Sequence, residues 1–258
     1  MQDLKVTLIQ TSQFWEDKPA NLAHFEQLLP KAGTTDLVLL PEMFHTGFSM
    51  KAEELAEDFE SSLAINWLKE KAKRHQTAIY TSFICKAENH FFNRGVFVFP
   101  DGNVTVYDKR KLFTLAKEEQ HYSAGTAEKI VEYKGFRLLL SICYDLRFPE
   151  ILRNRMISET EAKYDVLLNV ANWPERRSFH WKSLLLARAI ENQCFLIGVN
   201  RIGTDENQLV YSGDSIALDP LGQALSTIQP QNETVETVTL RKEVLYEVRE
   251  KLNFLKDQ

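Results

Sequence analysis

The stretch Arg137-Leu138-Leu139-Leu140-Ser141-Ile142-Cys143-Tyr144-Asp145 decides the fold. Residues 138–142 are almost wholly apolar and follow the turn signal Lys134-Gly135, which predicts a strand buried on both faces. Apolar residues at roughly helical spacing predict a helix over 147–156. Cys143 therefore lies where a buried strand ends, a position at which α/β folds present reactive side chains. A single cysteine is more often a small buried hydrophobe than a nucleophile. Other segments of the chain are therefore needed to distinguish these two interpretations.

The composition of the 258-residue chain is typical of a globular protein, with 44% hydrophobic and 26% charged residues. Its net charge of −5 argues against nucleic acid as the main partner, because phosphate binding requires a basic face. No stretch approaches about 18 consecutive apolar residues, and the first residues lead directly into an apolar strand. We therefore expect no signal peptide, no membrane partner and a cytoplasmic location.

The cysteines and histidines narrow the chemistry further. Cys85, Cys143 and Cys194 are odd in number, widely spaced and without a C-x-x-C pair, which favours a reducing compartment over a disulfide framework. The six histidines lack metal-ligand spacing, so we predict no metal site.

Strands alternate with helices early and late in the chain, with hairpins between them. Strands are predicted at 5–10, 36–40, 77–85, 91–99, 104–107, 164–171, 194–199 and 234–240, and helices at 19–31, 61–75, 178–192 and 241–252. No linker-like tract interrupts the pattern, so we expect one domain over residues 1–258. Because ten or more strands are many for one open sheet, the α/β pattern predicts two mixed sheets packed face to face between helical layers.

Two further polar residues follow predicted strands. Glu42 comes after the apolar run 36–40, where Pro41 stops the strand, and Lys109 begins a basic cluster after a hairpin. Each residue has an ordinary explanation, a solvated loop carboxylate or a solvated charge run. A thiol, however, needs a base or a positive neighbour to act as a nucleophile. Glu42 could take and return the proton of Cys143, while Lys109 stabilises negative charge.

Three segments resemble the signatures of the nitrilase superfamily of carbon–nitrogen hydrolases, in the order typical of that family. They are Leu39-Leu40-Pro41-Glu42-Met43-Phe44, Tyr107-Asp108-Lys109-Arg110-Lys111-Leu112-Phe113 and Ser141-Ile142-Cys143-Tyr144-Asp145-Leu146-Arg147-Phe148-Pro149-Glu150. Residues 169–174 and 188–192 are similar to later family markers, so the resemblance covers essentially the whole chain. Three motifs with this spacing are highly specific. Lys111 is a departure, since the family usually has histidine there.

The resemblance implies a four-layer αββα sandwich and a homodimer formed through helices that include those near Cys143. It implies that Cys143 is the nucleophile, Glu42 the general base and Lys109 the electrostatic stabiliser. The backbone N–H of Tyr144 would complete the oxyanion hole with Lys109. No organic cofactor is needed for this chemistry.

A second glutamate of the family matches Glu118, which would position Lys109 and the hydrolytic water; Glu119 is the alternative. Residues 41–48 and 172–174 resemble the omega-amidase branch, whose members release ammonia from dicarboxylate monoamides such as 2-oxoglutaramate and 2-oxosuccinamate through a cysteine thioester. A role in methionine salvage is implied by the resemblance alone.

Such a substrate carries a carboxylate far from the scissile bond, which requires a fixed cation. Arg176 and Arg177 are the candidates, and Arg177 is the preferred one, although it could also be a helix N-terminal charge without a ligand. Phe44, Tyr144 and Trp173 are the expected walls of a small pocket.

Three alternatives remain open at this point. The chain could cleave nitriles or N-carbamoyl groups within the same superfamily. It could be a catalytically silent interaction module, although the retained Glu42, Lys109 and Cys143 argue against that. A thiol redox sensor would need a resolving cysteine near Cys143, whereas Cys85 and Cys194 are both predicted inside strands.

Overall fold

The computed structural model describes residues 2–257, which form two large β-sheets and a small hairpin together with six α-helices. The strands are β1 (Leu4–Gln10), β2 (Leu37–Leu39), β3 (Glu57–Asp58), β4 (Ala78–Ala87), β5 (His90–Val98), β6 (Val104–Asp108), β7 (Ile130–Tyr133), β8 (Phe136–Ile142), β9 (Val166–Ala171), β10 (Phe195–Asn200), β11 (Ile202–Thr204), β12 (Val210–Ser212), β13 (Ile216–Leu218) and β14 (Thr234–Leu240). The helices are α1 (Lys18–Leu28), α2 (Ala52–Leu55), α3 (Leu63–His75), α4 (Pro149–Leu152), α5 (Ser178–Asn192) and α6 (Lys242–Lys251).

The two sheets are both mixed. The first has the order β14-β1-β2-β4-β5-β6, with β3 added beside β4, and its strands β1, β2 and β4 are parallel. The second has the order β13-β10-β9-β8-β7, and its central strands β8, β9 and β10 are parallel. Parallel neighbours end at the same edge, so each sheet presents several loops together at one edge.

The side chains of β2 alternate between the two faces of the first sheet. Leu37 and Leu39 of β2 belong to the apolar cluster between the two sheets, whereas Val38 and Leu40 belong to the cluster formed with α1 and α3. Since successive side chains of a strand point to opposite faces, β2 is buried on both sides. The same holds for β8, whose residues Leu138–Ile142 are all buried as predicted.

Helix α5 covers the outer face of the second sheet. At Gly198 in β10, an added Cβ would lie 2.8 Å from Leu185 and 3.1 Å from Trp181, both on α5. Only a glycine allows the helix to approach the strand this closely. The layers therefore run helix, sheet, sheet, helix, which confirms the predicted αββα sandwich.

The helix predicted over 147–156 is wrong. The chain instead makes a 3₁₀ turn over Cys143–Arg147 and a single helical turn, α4, before becoming extended at Arg153. Pro149 cannot continue a helix begun before it, because it lacks an N–H and restricts the residue that precedes it. Buried Asn154 then ties the extended chain to Asn192, with its N–H donating to Oδ1 at 2.8 Å.

None of the helices within residues 2–257 is both long and apolar enough to span a membrane.

Candidate active site

Three polar residues follow strands that run in the same direction within their sheets. Glu42 lies just beyond β2, Lys109 directly follows β6, and Cys143 directly follows β8. The first two belong to one sheet and the third to the other, so the site forms where the strand ends of both sheets meet. Residues distant in sequence are therefore brought together by the sandwich itself.

Lys109 forms the electrostatic centre of this site. Its Nζ donates to Oε1 of Glu42 at 3.0 Å and to both carboxylate oxygens of Glu118 at 3.0 Å. All three side chains are fully buried. Burial alone favours the neutral amine, but the charges of Glu118 and Glu42 outweigh it and raise the pKa of Lys109. Lys109 is therefore an ammonium group held between two carboxylates.

The carboxylate of Glu42 is fixed at both oxygens. Oε1 accepts from Nδ2 of Asn93 at 2.7 Å as well as from Lys109, and Oε2 accepts from the backbone N–H of Asn172 at 2.8 Å. The backbone oxygen of Glu42 also accepts from Nε2 of Gln13 at 3.0 Å. A carboxylate with this many fixed donors keeps one orientation, as a proton-transfer group requires.

Cys143 sits on a sharp backbone turn at the end of β8. Its φ is +44°, a left-handed conformation that is uncommon for a residue other than glycine. The turn puts Sγ 4.0 Å from the backbone oxygen of Asn172, and the side chain borders the cleft. Tyr144 is the second residue of the 3₁₀ turn, a position whose N–H has no partner within the turn.

Burial and the neighbouring Glu42 raise the pKa of the Cys143 thiol, and the Lys109 ammonium only partly offsets this. The resting residue at neutral pH is therefore a thiol rather than a thiolate. A thiol of this kind must lose its proton before or during attack on a carbonyl, and Glu42 is a carboxylate in its surroundings.

Glu118 is held by more than Lys109. Its Oε2 accepts from the backbone N–H of Phe113 at 2.6 Å, and its side chain is fully buried. Burial, opposed by Lys109, raises the pKa of Glu118. The alternative residue, Glu119, is exposed to solvent.

Cys143 opens into a cleft of about 310 Å³. The residues that line it are aromatic and apolar side chains together with three arginines and a few amide or carboxylate groups: Phe48, Met50, Phe113, Leu115, Ala116, Cys143, Tyr144, Arg147, Asn172, Trp173, Pro174, Arg176, Arg177, Asp205, Asn207, Leu209 and Tyr211. This volume suits a small molecule, and the cations suit an anionic one.

The three arginines are held differently. Arg147 lies over the ring of Trp173 at 4.6 Å, and half-buried Arg177 lies over Phe113 at 5.2 Å, whereas Arg176 is exposed. Burial, together with the nearby charges of Arg176 and Arg147, lowers the pKa of Arg177. Guanidinium groups at the mouth of a cleft are well suited to bind a carboxylate.

Most residues predicted from the sequence do lie around this cleft. Tyr144, Trp173, Arg176 and Arg177 all line it. The expectation that Phe44 walls the pocket is wrong, because its fully buried ring packs with the cluster of α1 and α3 beneath the first sheet.

Phe48 lines the cleft instead of Phe44, and its ring lies 5.0 Å from Nζ of Lys109. Arg147 also lines the cleft, although the sequence analysis does not predict it as a site residue. It stands four residues after Cys143 inside the quoted motif, so that spacing was the signal that could have found it.

Within residues 2–257, no group of three or more His, Cys, Asp or Glu side chains is arranged to hold a metal ion.

Comparison with known proteins agrees with this geometry. The family model described as carbon–nitrogen hydrolase matches residues 5–250. The chain is 44% identical to omega-amidase YafV of Escherichia coli K12 over 97% of its own length and 95% of that protein. It is 36% identical to the 2-oxoglutaramate amidase of Bacillus subtilis, covering 74% of this chain and 73% of the other.

A solved structure gives the same picture. A CN-hydrolase superfamily protein from Xanthomonas campestris, with an arsenic adduct in its active site, superposes with a TM-score of 0.96 at 43% identity, covering 100% of this chain and 98% of that one. The chain is therefore a member of the carbon–nitrogen hydrolase family, an enzyme of the nitrilase superfamily that acts on carbon–nitrogen bonds.

Proposed function

We propose that the protein is an omega-amidase, which hydrolyses the terminal amide of dicarboxylate monoamides such as 2-oxoglutaramate and 2-oxosuccinamate. The observation that carries this proposal is the presence of three arginines in the same small cleft as Cys143. A substrate with a reactive amide at one end and a carboxylate at the other fits that distribution of charge. The 44% identity to an omega-amidase and the 36% identity to a 2-oxoglutaramate amidase support the same substrate class.

In the first half of the reaction, Sγ of Cys143 attacks the amide carbonyl while Glu42 takes the thiol proton. The Lys109 ammonium and the N–H of Tyr144 stabilise the negative charge that develops on the carbonyl oxygen. The carbon–nitrogen bond then breaks, and ammonia leaves with the proton held by Glu42. A thioester between the substrate acyl group and Cys143 remains.

In the second half, a water molecule attacks the thioester carbonyl and gives a proton to Glu42. The carbon–sulfur bond breaks, and Glu42 returns the proton to the sulfur of Cys143, so that the free dicarboxylate leaves. Glu118 holds the Lys109 ammonium in place through both halves, since it contacts Nζ with both oxygens.

The distal carboxylate is recognised by the arginines at the rim. Arg147 and Arg177 are the better placed, because each is partly buried and stacked on an aromatic ring that limits its motion. A guanidinium can bind a carboxylate with two parallel hydrogen bonds, which sets both affinity and orientation.

The test is ammonia release from a panel of equal-sized compounds: 2-oxoglutaramate, a neutral amide, a nitrile and an N-carbamoyl amino acid. We expect the highest kcat/KM for 2-oxoglutaramate and none above background for the Cys143→Ala enzyme. A preference for the nitrile or the N-carbamoyl compound would assign the chain to another activity of the superfamily. Undiminished amide hydrolysis by Cys143→Ala would remove the cysteine mechanism altogether.

We also propose that each chain forms a single catalytic domain and that two chains associate as a homodimer. The protein would act in the cytoplasm on small molecules rather than on nucleic acid or membranes. Exposed apolar residues on α5 and the adjacent turn support a self-association face: Phe179, Leu186, Ile190, Leu221 and Leu225. The three cysteines are free and buried, as suits a reducing compartment. Sedimentation of Ile190→Asp beside the parent tests the dimer, since a charge there should shift the population to monomer. A place in methionine salvage stays a prediction.

A further inference from the structure

A buried carboxylate, Asp145, lies beside the reacting groups but has no part in the chemistry described above. Its side chain is fully buried, and it is not among the described residues that line the cleft. It cannot touch a substrate held there. Its surroundings nevertheless connect the two sheets at the point where the active site forms.

Asp145 accepts three hydrogen bonds, one from a strand of each large sheet and one from the loop that follows β6. Oδ2 accepts from the hydroxyl of Tyr107 at 2.7 Å and from the backbone N–H of Ile142 at 2.9 Å, and Oδ1 accepts from the backbone N–H of Lys111 at 2.9 Å. All three partners donate, so the group they select is the carboxylate rather than the acid. Burial raises the pKa of Asp145, and hydrogen bonds from Tyr107 and Ile142 work against that rise.

These three donors lie close to Lys109 and Cys143 in the sequence. Tyr107 and Lys111 stand two residues before and two residues after Lys109. Ile142 immediately precedes Cys143, whose backbone is in the left-handed conformation. One carboxylate thus holds the chain on both sides of the ammonium group and at the start of the nucleophile's turn.

We propose that Asp145 is a positioning residue that fixes the Lys109 ammonium against the Cys143 sulfur across the junction of the two sheets. The contact to Lys111 uses its main-chain N–H, so the lysine that stands where the family usually has histidine does not disturb it. Without the carboxylate, three buried donors lose their acceptor, and the two catalytic loops are free to separate. A misplacement of about 1 Å at a reacting group can cost about 10²-fold in rate.

The test compares Asp145→Asn and Tyr107→Phe with a matched control, Tyr164→Phe. Tyr164 is equally buried, and its hydroxyl donates to the backbone oxygen of Leu152, outside the cleft lining. For each protein we would measure kcat and KM on 2-oxoglutaramate, the melting temperature, and the rate of Cys143 alkylation by iodoacetamide at one fixed pH. Alkylation needs no substrate, so it reports on the cysteine even if the proposed amidase activity fails.

We expect kcat to fall about 10²-fold for Asp145→Asn and about tenfold for Tyr107→Phe, with KM within about twofold of the parent. Alkylation should slow by a similar factor, because the ammonium no longer supports the thiolate. Tyr164→Phe should lose a similar amount of thermal stability with kcat and alkylation unchanged.

The proposal is overturned if Tyr107→Phe behaves like Tyr164→Phe, losing stability while keeping kcat and the alkylation rate. An increased alkylation rate would also overturn it. If Asp145→Asn does not fold, Tyr107→Phe alone decides, because it removes a single hydroxyl. If alkylation slows as expected but no protein hydrolyses 2-oxoglutaramate, the positioning role stands and only the proposed substrate fails.

Discussion

The centre of the cleft and its rim are built in opposite ways. At the centre, the Glu42, Lys109 and Glu118 side chains are fully buried and locked by hydrogen bonds of 2.6–3.0 Å. At the rim, Leu115 is 71% exposed and Arg176 is open to solvent. The centre is fixed by contacts to residues in or directly after strands of both sheets, whereas Leu115 and Arg176 at the rim lie in solvent. On the proposed function, the buried centre would carry out the reaction and the exposed rim would select the substrate.

The largest effect is expected at Cys143. Replacing Cys143 by alanine should lower kcat on an omega-amide by on the order of 10⁴ or more, because no other group can form the thioester. The measurement is ammonia release at saturating substrate. The matched control is Cys194→Ala, a buried cysteine outside the cleft lining, which should retain kcat within about twofold. Equal activity in both variants would contradict the assignment.

The next largest effect is expected at the ammonium group. Lys109→Ala should lower kcat by about 10²–10³, since it removes one oxyanion donor and leaves two buried carboxylates facing each other. The control is Lys71→Ala on α3, which removes another buried lysine that pairs with two carboxylates. That variant should lose stability but keep kcat. A Lys109→Ala enzyme within a few-fold of the parent would mean that the centre is not organised around this charge.

A partly buried network of hydrogen bonds and one ion pair around Glu57 should affect stability instead of rate. The Glu57 carboxylate accepts from Nε2 of His45 at 3.0 Å, from Nζ of Lys18 at 2.8 Å and from the N–H of Ala64 at 2.9 Å. Burial alone would raise the pKa of Glu57, but the hydrogen bond from His45 and those from Ala64 and Lys18 lower it far below its usual range. Glu57→Gln should therefore reduce the free energy of unfolding at pH 7 by about 2 kcal/mol.

The pH dependence of this effect follows from the sign of the shift. A carboxyl with a lowered pKa in the folded state stabilises the protein above its unfolded pKa of about 4.3, and this contribution is lost as the pH falls further. Urea unfolding between pH 7 and pH 3 should show a shallower acid loss for Glu57→Gln than for the parent. Parallel curves would show that Glu57 is no more strongly held than an ordinary surface carboxylate.

The smallest expected effect lies at the rim and tests specificity. Arg177→Ala should lower kcat/KM for 2-oxoglutaramate about tenfold, consistent with loss of one charged hydrogen-bonding group, and should change a neutral amide much less. Arg176→Ala serves as the control and should have the weaker effect, because its side chain is exposed. Equal losses on both substrates would mean that Arg177 shapes the cleft without binding the carboxylate.

The same division explains what could be predicted from the sequence. β8 was predicted because its residues are apolar on both faces, a pattern that requires burial between two layers. Glu42, Lys109 and Cys143 stood out because each follows a strand and interrupts an apolar pattern. Their convergence needed the family resemblance, since the pairing of two separate sheets is not encoded in any one segment.

The incorrect predictions concern loop residues, whose side-chain directions depend on the conformation of the loop. Phe44 and Phe48 share one loop with left-handed backbone at Met43, with φ of +45°, and at Gly47, with φ of +74°. The ring of Phe44 lies in the core, whereas that of Phe48 lines the cleft. The local sequence does not indicate which of the two rings lines the cleft. The apolar spacing over 147–156 fits a helix, but Pro149 restricts the residues before it, so only one turn forms. Arg147 precedes that turn and lines the cleft.

The close contact of α5 with Gly198 connects a position in the middle of β10 to the edge of the cleft. A methyl group at that position would push against Leu185 and Trp181, and the ring of Trp181 lies 5.5 Å from that of Trp173 at the edge of the cleft. The middle of β10 is thus connected through α5 to Trp173, which lines the cleft. Variation at this glycine should appear as altered turnover even though no ligand reaches it.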